Sequence, residues 1–321
     1  MKTRIAALAL AAVLAPAPAL AQPYPAKTVK IVAPVQPGGG VDLVARTVAE
    51  QLTKAMGQSF VVENLSGGGG VIASQAVAKA APDGYTLMLG YVATHGTNPA
   101  VRKVPYDAVK DFTPVAMVAG TPNVLVVNPA VPAKTLAELV DYGRRNAGKL
   151  SYGSAGQGSL THLAMEQLKQ SAGFEATHAA YRGIGPAITD ILGGQTQMMM
   201  PGLAAATPHI RAGKLRPIAV TGIARHPLLP DTPTFEELGF KGFDGVQWYG
   251  IVGPARMPEA VTLRLNEEIN KAIAAPALRE RLSGEALEPM PMTSAAFGRF
   301  IQADIARWSQ LARDRKISLE D

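Results

Sequence analysis

The stretch VAPVQPGGGVDLVARTVAEQL, residues 32–52, sets the fold class. Apolar residues run into Pro37 and three glycines. A helical pattern then opens, with Val44, Val48, Leu52 and Met56 four apart on one face. Gly57 closes that helix as a C-terminal glycine. Upstream, TVKIVAPV (28–35) is rich in β-branched residues and reads as a strand. Downstream, SFVVENL (59–65) is a second strand, SGGGG (66–70) leads into a helix to about Ala81, and DGYTLMLGYV (83–92) is a third strand. Strand, helix and strand at this spacing imply parallel strands joined by right-handed crossovers.

The same order resumes from about residue 122. NVLVVNP (123–129) reads as a strand, and TLAELVDYGRRN (135–146) as a helix with Thr135 and Glu138 set as a capping box. KLSYGSAGQGSLTHLAMEQLKQ (149–170) is strand, loop and helix. QTQMMM (195–200) and KLRPIAVTG (214–222) read as further strands, the methionines as buried ones. After a segment rich in Pro and turn residues from about 223, VQWYGIVGP (246–254) is another strand. Helices over roughly 258–274 and 294–314 finish the chain. The expected fold is α/β, two lobes each built on a mostly parallel sheet flanked by helices. The expected boundaries are 1–21 signal peptide, 22–121 first lobe, 122–227 second lobe, and 228–321 back in the first lobe. Two crossings between lobes make a two-strand hinge, and the cleft between such lobes is where small ligands bind.

A chain of 321 residues is long enough for about two domains. With 47% hydrophobic and 17% charged residues it has the composition of a globular protein. Lys2 and Arg4, the ten apolar residues Ile5–Leu14 and the Ala19-Leu20-Ala21 site form a secretory signal peptide, with cleavage expected after Ala21. That implies export to the periplasm. Without Lys2 and Arg4 the 31 basic residues fall to 29 against 25 acidic ones, a net charge of +4. No dense basic block is present, so nucleic acid is a poor partner. The chain has no cysteine, which excludes thiol catalysis and thiolate metal sites.

Gly38-Gly39-Gly40 lies between the carboxyl end of a strand and the start of a helix, where open parallel sheets bind ligands. Glycine lets a ligand approach backbone N–H groups, and the helix start adds partial positive charge, so an anion is favoured. The nucleotide motifs are absent: the run is neither G-x-G-x-x-G nor a P-loop. Asp42 at the helix start would repel a phosphate and is better read as an N-cap. Ser154-Ala155-Gly156-Gln157-Gly158-Ser159 repeats this layout in the second lobe. So does Tyr181-Arg182-Gly183-Ile184-Gly185-Pro186, where Pro186 suits the first helical position. Ser66–Gly70 is a fourth such loop. Together they suit a carboxylate clamped from both sides.

The signals for catalysis are weak. His162 and Glu166 stand i, i+4 on a helix without a third ligand near in sequence, so no metal is expected. Tyr152-Gly153-Ser154-Ala155-Gly156 departs from a nucleophile elbow at its first glycine. A Ser154–His162 couple would be the basis of a secreted hydrolase, the alternative to a binding protein. His209 and His226 are read as surface or capping residues. No cofactor and a monomeric chain are expected.

The ordered motifs PYPAKTVKIVAPVQPGGGVDLVAR (23–46), VVENLSGGGGVIASQAVAKAAPDGYTLMLG (61–90), THGTNPAV (94–101), PYDAVKDFTPVAMV (105–118), GKLSYGSAGQGSLTHLAMEQL (148–168), YRGIGPAITDILGGQTQ (181–197) and WYGIVGP (248–254) resemble the Bug receptors. These are the periplasmic substrate-binding proteins of tripartite tricarboxylate transporters. The resemblance implies a type II "Venus flytrap" receptor that is not an enzyme. Such a receptor binds a small carboxylate in its cleft, closes, and passes it to a permease of one large and one small subunit. Presentation of the ligand to a sensor protein is the alternative. The resemblance places ligand contacts on Gly38, Gly39, Gly40 and Asp42, on Thr94 and His95, on Ser154, Gln157, Gly158 and Ser159, and on Tyr181. Arg182 stands where the family often has Lys and could pair with a carboxylate. The family often has an aromatic residue where Val35 stands here. It also commonly has Phe-Asp-Asn where this chain has Met200-Pro201-Gly202, and loss of that acid implies a ligand without an amino group.

Overall fold

The computed structural model describes residues 24–38, 40–243, 245–314 and 316–317. The signal peptide and Gly39 lie outside the described residues. Three parallel strands start the first sheet: β1 (Val29–Ala33), β2 (Phe60–Asn64) and β3 (Thr86–Tyr91). The helices α1 (Gly40–Met56) and α2 (Val71–Ala78) cross between them on opposite faces. A π-turn over Ala93–Thr97 and the short α3 (Asn98–Val101) lead to β4 (Phe112–Pro122). This strand has no period-2 signature, because eight of its eleven residues are buried and the other three are half-buried, on both faces.

The second sheet is built from β5 (Val124–Val127), β6 (Ser151–Ser154), β7 (Thr177–Ala180), β8 (Met198–Met199) and β9 (Arg216–Val220). Its order is β7-β6-β8-β5-β9, with α4 (Leu136–Arg145), α5 (Leu160–Ala172), α6 (Ile184–Leu192) and α7 (Leu203–Arg211) around it. The Thr135–Glu138 capping box forms as read. The chain then returns through β10 (Val246–Pro254), α8 (Glu259–Ala274), α9 (Pro276–Gly284), β11 (Glu288–Pro289) and α10 (Ser294–Asp314). These complete a first sheet of order β11-β4-β10-β3-β1-β2.

Both sheets are mixed rather than mostly parallel. β4, β10 and β11 run antiparallel to their neighbours, as does β5 between β8 and β9. The return to the first sheet also comes later than residue 228. Phe235 and Phe243 lie in the core of the second sheet, and Thr234 bridges Val220, so the chain stays there to about Gly245. Each apolar strand buries side chains on both faces. Ile31 and Leu89 pack under α1 and α8 on one side, while Val32, Met88 and Trp248 pack under α2 and α10 on the other. At about 25 cal/mol per Å² of apolar surface removed from water, these two layers supply most of the drive for that sheet.

Candidate functional site: a cleft between two strand ends

In the first sheet β1, β2 and β3 present their carboxyl ends to one edge. β4 runs on past that edge: Tyr249 of β10 pairs with Tyr91 at the end of β3, while Val246 pairs with Pro122. β5 begins there, its Val124 N–H donating to Pro201 O just beyond the carboxyl end of β8. β6 and β7 end level with β8. The two carboxyl edges therefore face one another across the crossing, and the loops after β1, β3, β6, β7 and β8 form the rims.

On the first rim α1 begins at Gly40, close to the hydroxyl of Tyr249. A Cβ at Gly40 would stand 3.2 Å from Tyr249 Oη, so glycine is what lets the helix start approach that group. Gln247, two residues along β10 and on the same face, donates from Nε2 to Tyr249 Oη at 2.7 Å. Burial pushes the Tyr249 phenol well up, so it stays a neutral hydroxyl. On the second rim a Cβ at Gly202 would stand 3.2 Å from both Gln247 Oε1 and Thr121 Cγ2. Gly40, Tyr249, Gln247 and Gly202 thus form one line from the start of α1 to the start of α7. Sequence reading missed Gln247 and Tyr249, although two polar-tipped residues at i and i+2 in an apolar strand were the available signal.

Asp42 is not an N-cap. The helix starts two residues earlier, and Asp42 Oδ2 reaches back to accept the Gly38 N–H at 3.0 Å and Arg46 Nε at 2.9 Å. Asn64 Nδ2 donates to Oδ1 at 2.8 Å. Burial alone would raise this carboxyl, but the bonds from Arg46, Asn64 and Gly38 together hold it below the usual range. Its oxygens fasten the glycine loop rather than open toward the cleft. Thr94 and His95 are also interior: both are fully buried in the π-turn. Thr94 Oγ1 binds the Tyr91 backbone and lies 2.8 Å from His95 Nδ1, and the His95 ring stands edge-on to Phe112.

In the second lobe the hydroxyls of Ser154 and Ser159 point inward. Ser159 Oγ donates to Gly156 O at 2.6 Å and caps α5. Ser154 Oγ is hydrogen-bonded to His178 Nε2 at 2.6 Å, not to His162, and it accepts the Gly156 N–H. Ser154 is fully buried, so the hydrolase reading lacks an accessible nucleophile. His162 instead accepts the Gly158 N–H on Nδ1 at 3.0 Å. Of this loop Gln157 is exposed. The Tyr181 ring lies against Gly153, and its hydroxyl donates to Asp190 Oδ2 at 2.6 Å. Arg182 is exposed beside it at the start of α6. Pro186 is the third helical residue rather than the first, still within the turn whose N–H groups have no helical partner. His226 is buried, with Nε2 3.3 Å from Glu288, and is not a surface residue.

Two α/β lobes joined by two chain crossings, with the carboxyl ends of their strands facing one another, define a two-lobed solute-binding protein. Residues 44–317 match the model of the tripartite tricarboxylate transporter family receptor. The chain is 33% identical over 307 residues to "Protein BugT" of Bordetella pertussis, covering 95% of this chain and 94% of that one. Its fold superposes on "R. palustris Rpa4515 with adipate" at a TM-score of 0.86 and 34% identity, covering 92% of this chain and 99% of that one. It superposes on "MatC (Rpa3494) from Rhodopseudomonas palustris with bound malate" at 0.81 and 33% identity, covering 90% and 99%. The chain belongs to the family of tripartite tricarboxylate transporter receptors, periplasmic solute-binding proteins that are not enzymes.

Proposed function

We propose that this receptor binds a small carboxylate without a cationic group, a di- or tricarboxylate or an aromatic carboxylate, between its lobes. It closes on the ligand by hinge motion and hands it to a tripartite tricarboxylate-type permease. The observation that carries this reading is the set of helix starts gathered on the rims. α6 and α7 begin just after Gly183 and Gly202, with no side-chain bond to either cap among the described residues, and α1 begins at Gly40 under the Tyr249 hydroxyl. Each start presents N–H groups and about half a positive charge. Asp42, in the first turn of α1, and Asp190, bonded to the hydroxyl of Tyr181 ahead of α6, are already engaged by protein donors. Pro201 stands where relatives commonly carry an acid, so an amino group would find no partner there. The adipate and malate held by two structural relatives are dicarboxylates of this kind.

Thermal-shift and calorimetric titrations with adipate, malate, aspartate and glutamate test it. A plain dicarboxylate at about 100 times its Kd should stabilise the fold by roughly 2.7 kcal/mol. A clear response to aspartate or glutamate, with none to adipate or malate, would overturn the assignment. Arg182→Ala should weaken a bound dicarboxylate by about tenfold, the loss of one charge-assisted contact. Unchanged affinity would make Arg182 a surface residue only.

A further inference from the structure

Beneath the Ser154–Ser159 turn lies a cluster that the ligand reading leaves unused. His162 on α5 and His178 on β7 stack with ring centroids 4.0 Å apart and planes 5° from parallel. Tyr152 of β6 stacks on His178 at 4.9 Å. Each imidazole holds one end of the turn: His178 takes Ser154 Oγ at 2.6 Å, and His162 Nδ1 accepts the Gly158 N–H at 3.0 Å. The turn in turn carries the other rim loop, because Tyr181 N–H donates to Ser154 O and Gly183 N–H to Ala155 O.

The arrangement needs a neutral His162 and disfavours charge on either ring of the stack. An acceptor Nδ1 on His162 cannot also carry a proton, and two imidazolium rings 4.0 Å apart repel. The charged and titratable groups facing the stack are Glu166 and Lys169 of α5 and the Tyr152 hydroxyl of β6, with Glu175 beyond Lys169. Glu166 accepts the Tyr152 hydroxyl at 2.6 Å and pairs with Lys169 at 2.7 Å, so its charge is offset by an ammonium beside the rings. Burial pushes His162 down to about 4, with the neighbouring His178 ring adding to it, and burial lowers His178 as well.

We propose that His162 and His178 are positioning residues: while both rings are uncharged they hold the Ser154–Ser159 turn, and through it Tyr181 and the start of α6, ready for ligand. The receptor therefore loosens its grip in acidic surroundings. The consequence for ligand rests on the function proposed above, whereas the ordering of the turn does not.

Amide exchange of Gly158, measured by NMR on the ligand-free protein and corrected for intrinsic rates, tests the ordering. Protection should fall by about tenfold or more between pH 7 and pH 4 in the wild type. Asparagine and glutamine place an amide where Nδ1 and Nε2 lie, and neither takes up a proton in this range. The double variant His162→Asn/His178→Gln should therefore keep the protection seen at pH 7 and show a flat profile. Flat wild-type protection, or the same fall in the double variant, overturns the proposal. If the double variant does not fold, His162→Asn alone decides at Gly158. Calorimetry with adipate and malate from pH 7 to pH 4.5 supplies the second readout. Affinity should drop more steeply in the wild type than in the double variant, which reports the probes' own protonation, and equal slopes overturn the link to binding. Should neither probe bind at pH 7, a dicarboxylate of this kind is not the ligand, while the exchange result still decides the ordering of the turn.

Discussion

His95 shows at the scale of one residue how burial turns a side chain into a liability under acid. Its ring is buried against Phe112, Tyr106 and Gly90, Nε2 has no hydrogen-bond partner among the described residues, and burial pushes its pKa down to about 3. The unfolded chain binds that proton near pH 6.5 and the folded one does not, so stability is full above pH 6.5 and falls as pH drops toward 3. His95→Leu removes both the orphan nitrogen and this slope. At pH 4.5 the variant should gain roughly 2–3 kcal/mol relative to its standing against wild type at pH 7.5, read from urea unfolding at the two pH values. Equal differences at both would show that His95 is not held neutral. Asp42 behaves in the opposite way: three protein donors hold its charge, and it fastens the loop that opens α1.

Among the elements, β10 bears the most. It pairs with β3 and β4 at once, presents Gln247 and Tyr249 to the rim, and supports α10 on its other face. Gly250 is the contact point: a Cβ there would come within 2.3 Å of Phe297 Cζ and 2.9 Å of Ala116 O. The backbone oxygen cannot give way, so Gly250→Ala should cost about 2–3 kcal/mol by overpacking, measurable as a lowered urea midpoint. A neutral result would mean that α10 is seated less tightly than its contacts indicate. Such demands explain what the sequence did and did not disclose. α1, α5 and α10 were legible because each buries one stripe and leaves the rest in water. β4 was not, since burial on both faces erases alternation, and α9 follows α8 so closely that its Pro276 start reads as a turn. For the site, the glycine loops were legible as loops. The partners of their polar groups were not: Ser154 meets His178 across 24 residues, and Gln247 meets Gly202 across the crossing, separations that local pattern does not encode.

At the scale of the whole molecule the two lobes are joined where β4 passes into β5 and where the chain comes back to β10, and one side chain ties these passages together. Thr221 Oγ1 accepts the Asn123 N–H at 2.9 Å and donates to Gly245 O at 2.8 Å, while its own N–H donates to Asn123 O at 2.8 Å. The outgoing and returning chains therefore form one ribbon at the crossing, which would bend as a unit in the lobe closure proposed above. Thr221→Val keeps the shape and removes the hydroxyl. It leaves the Asn123 N–H, in a residue 1% exposed, without an acceptor, at a cost of about 1–3 kcal/mol. Thr221→Ser should retain most of the wild-type stability, which separates the hydroxyl from the lost methyl. If the valine variant unfolds at the wild-type urea concentration, water has replaced the hydroxyl and the ribbon is open to solvent. If both variants fall equally, packing of the methyl group, and not the three-way tie, holds the crossing together.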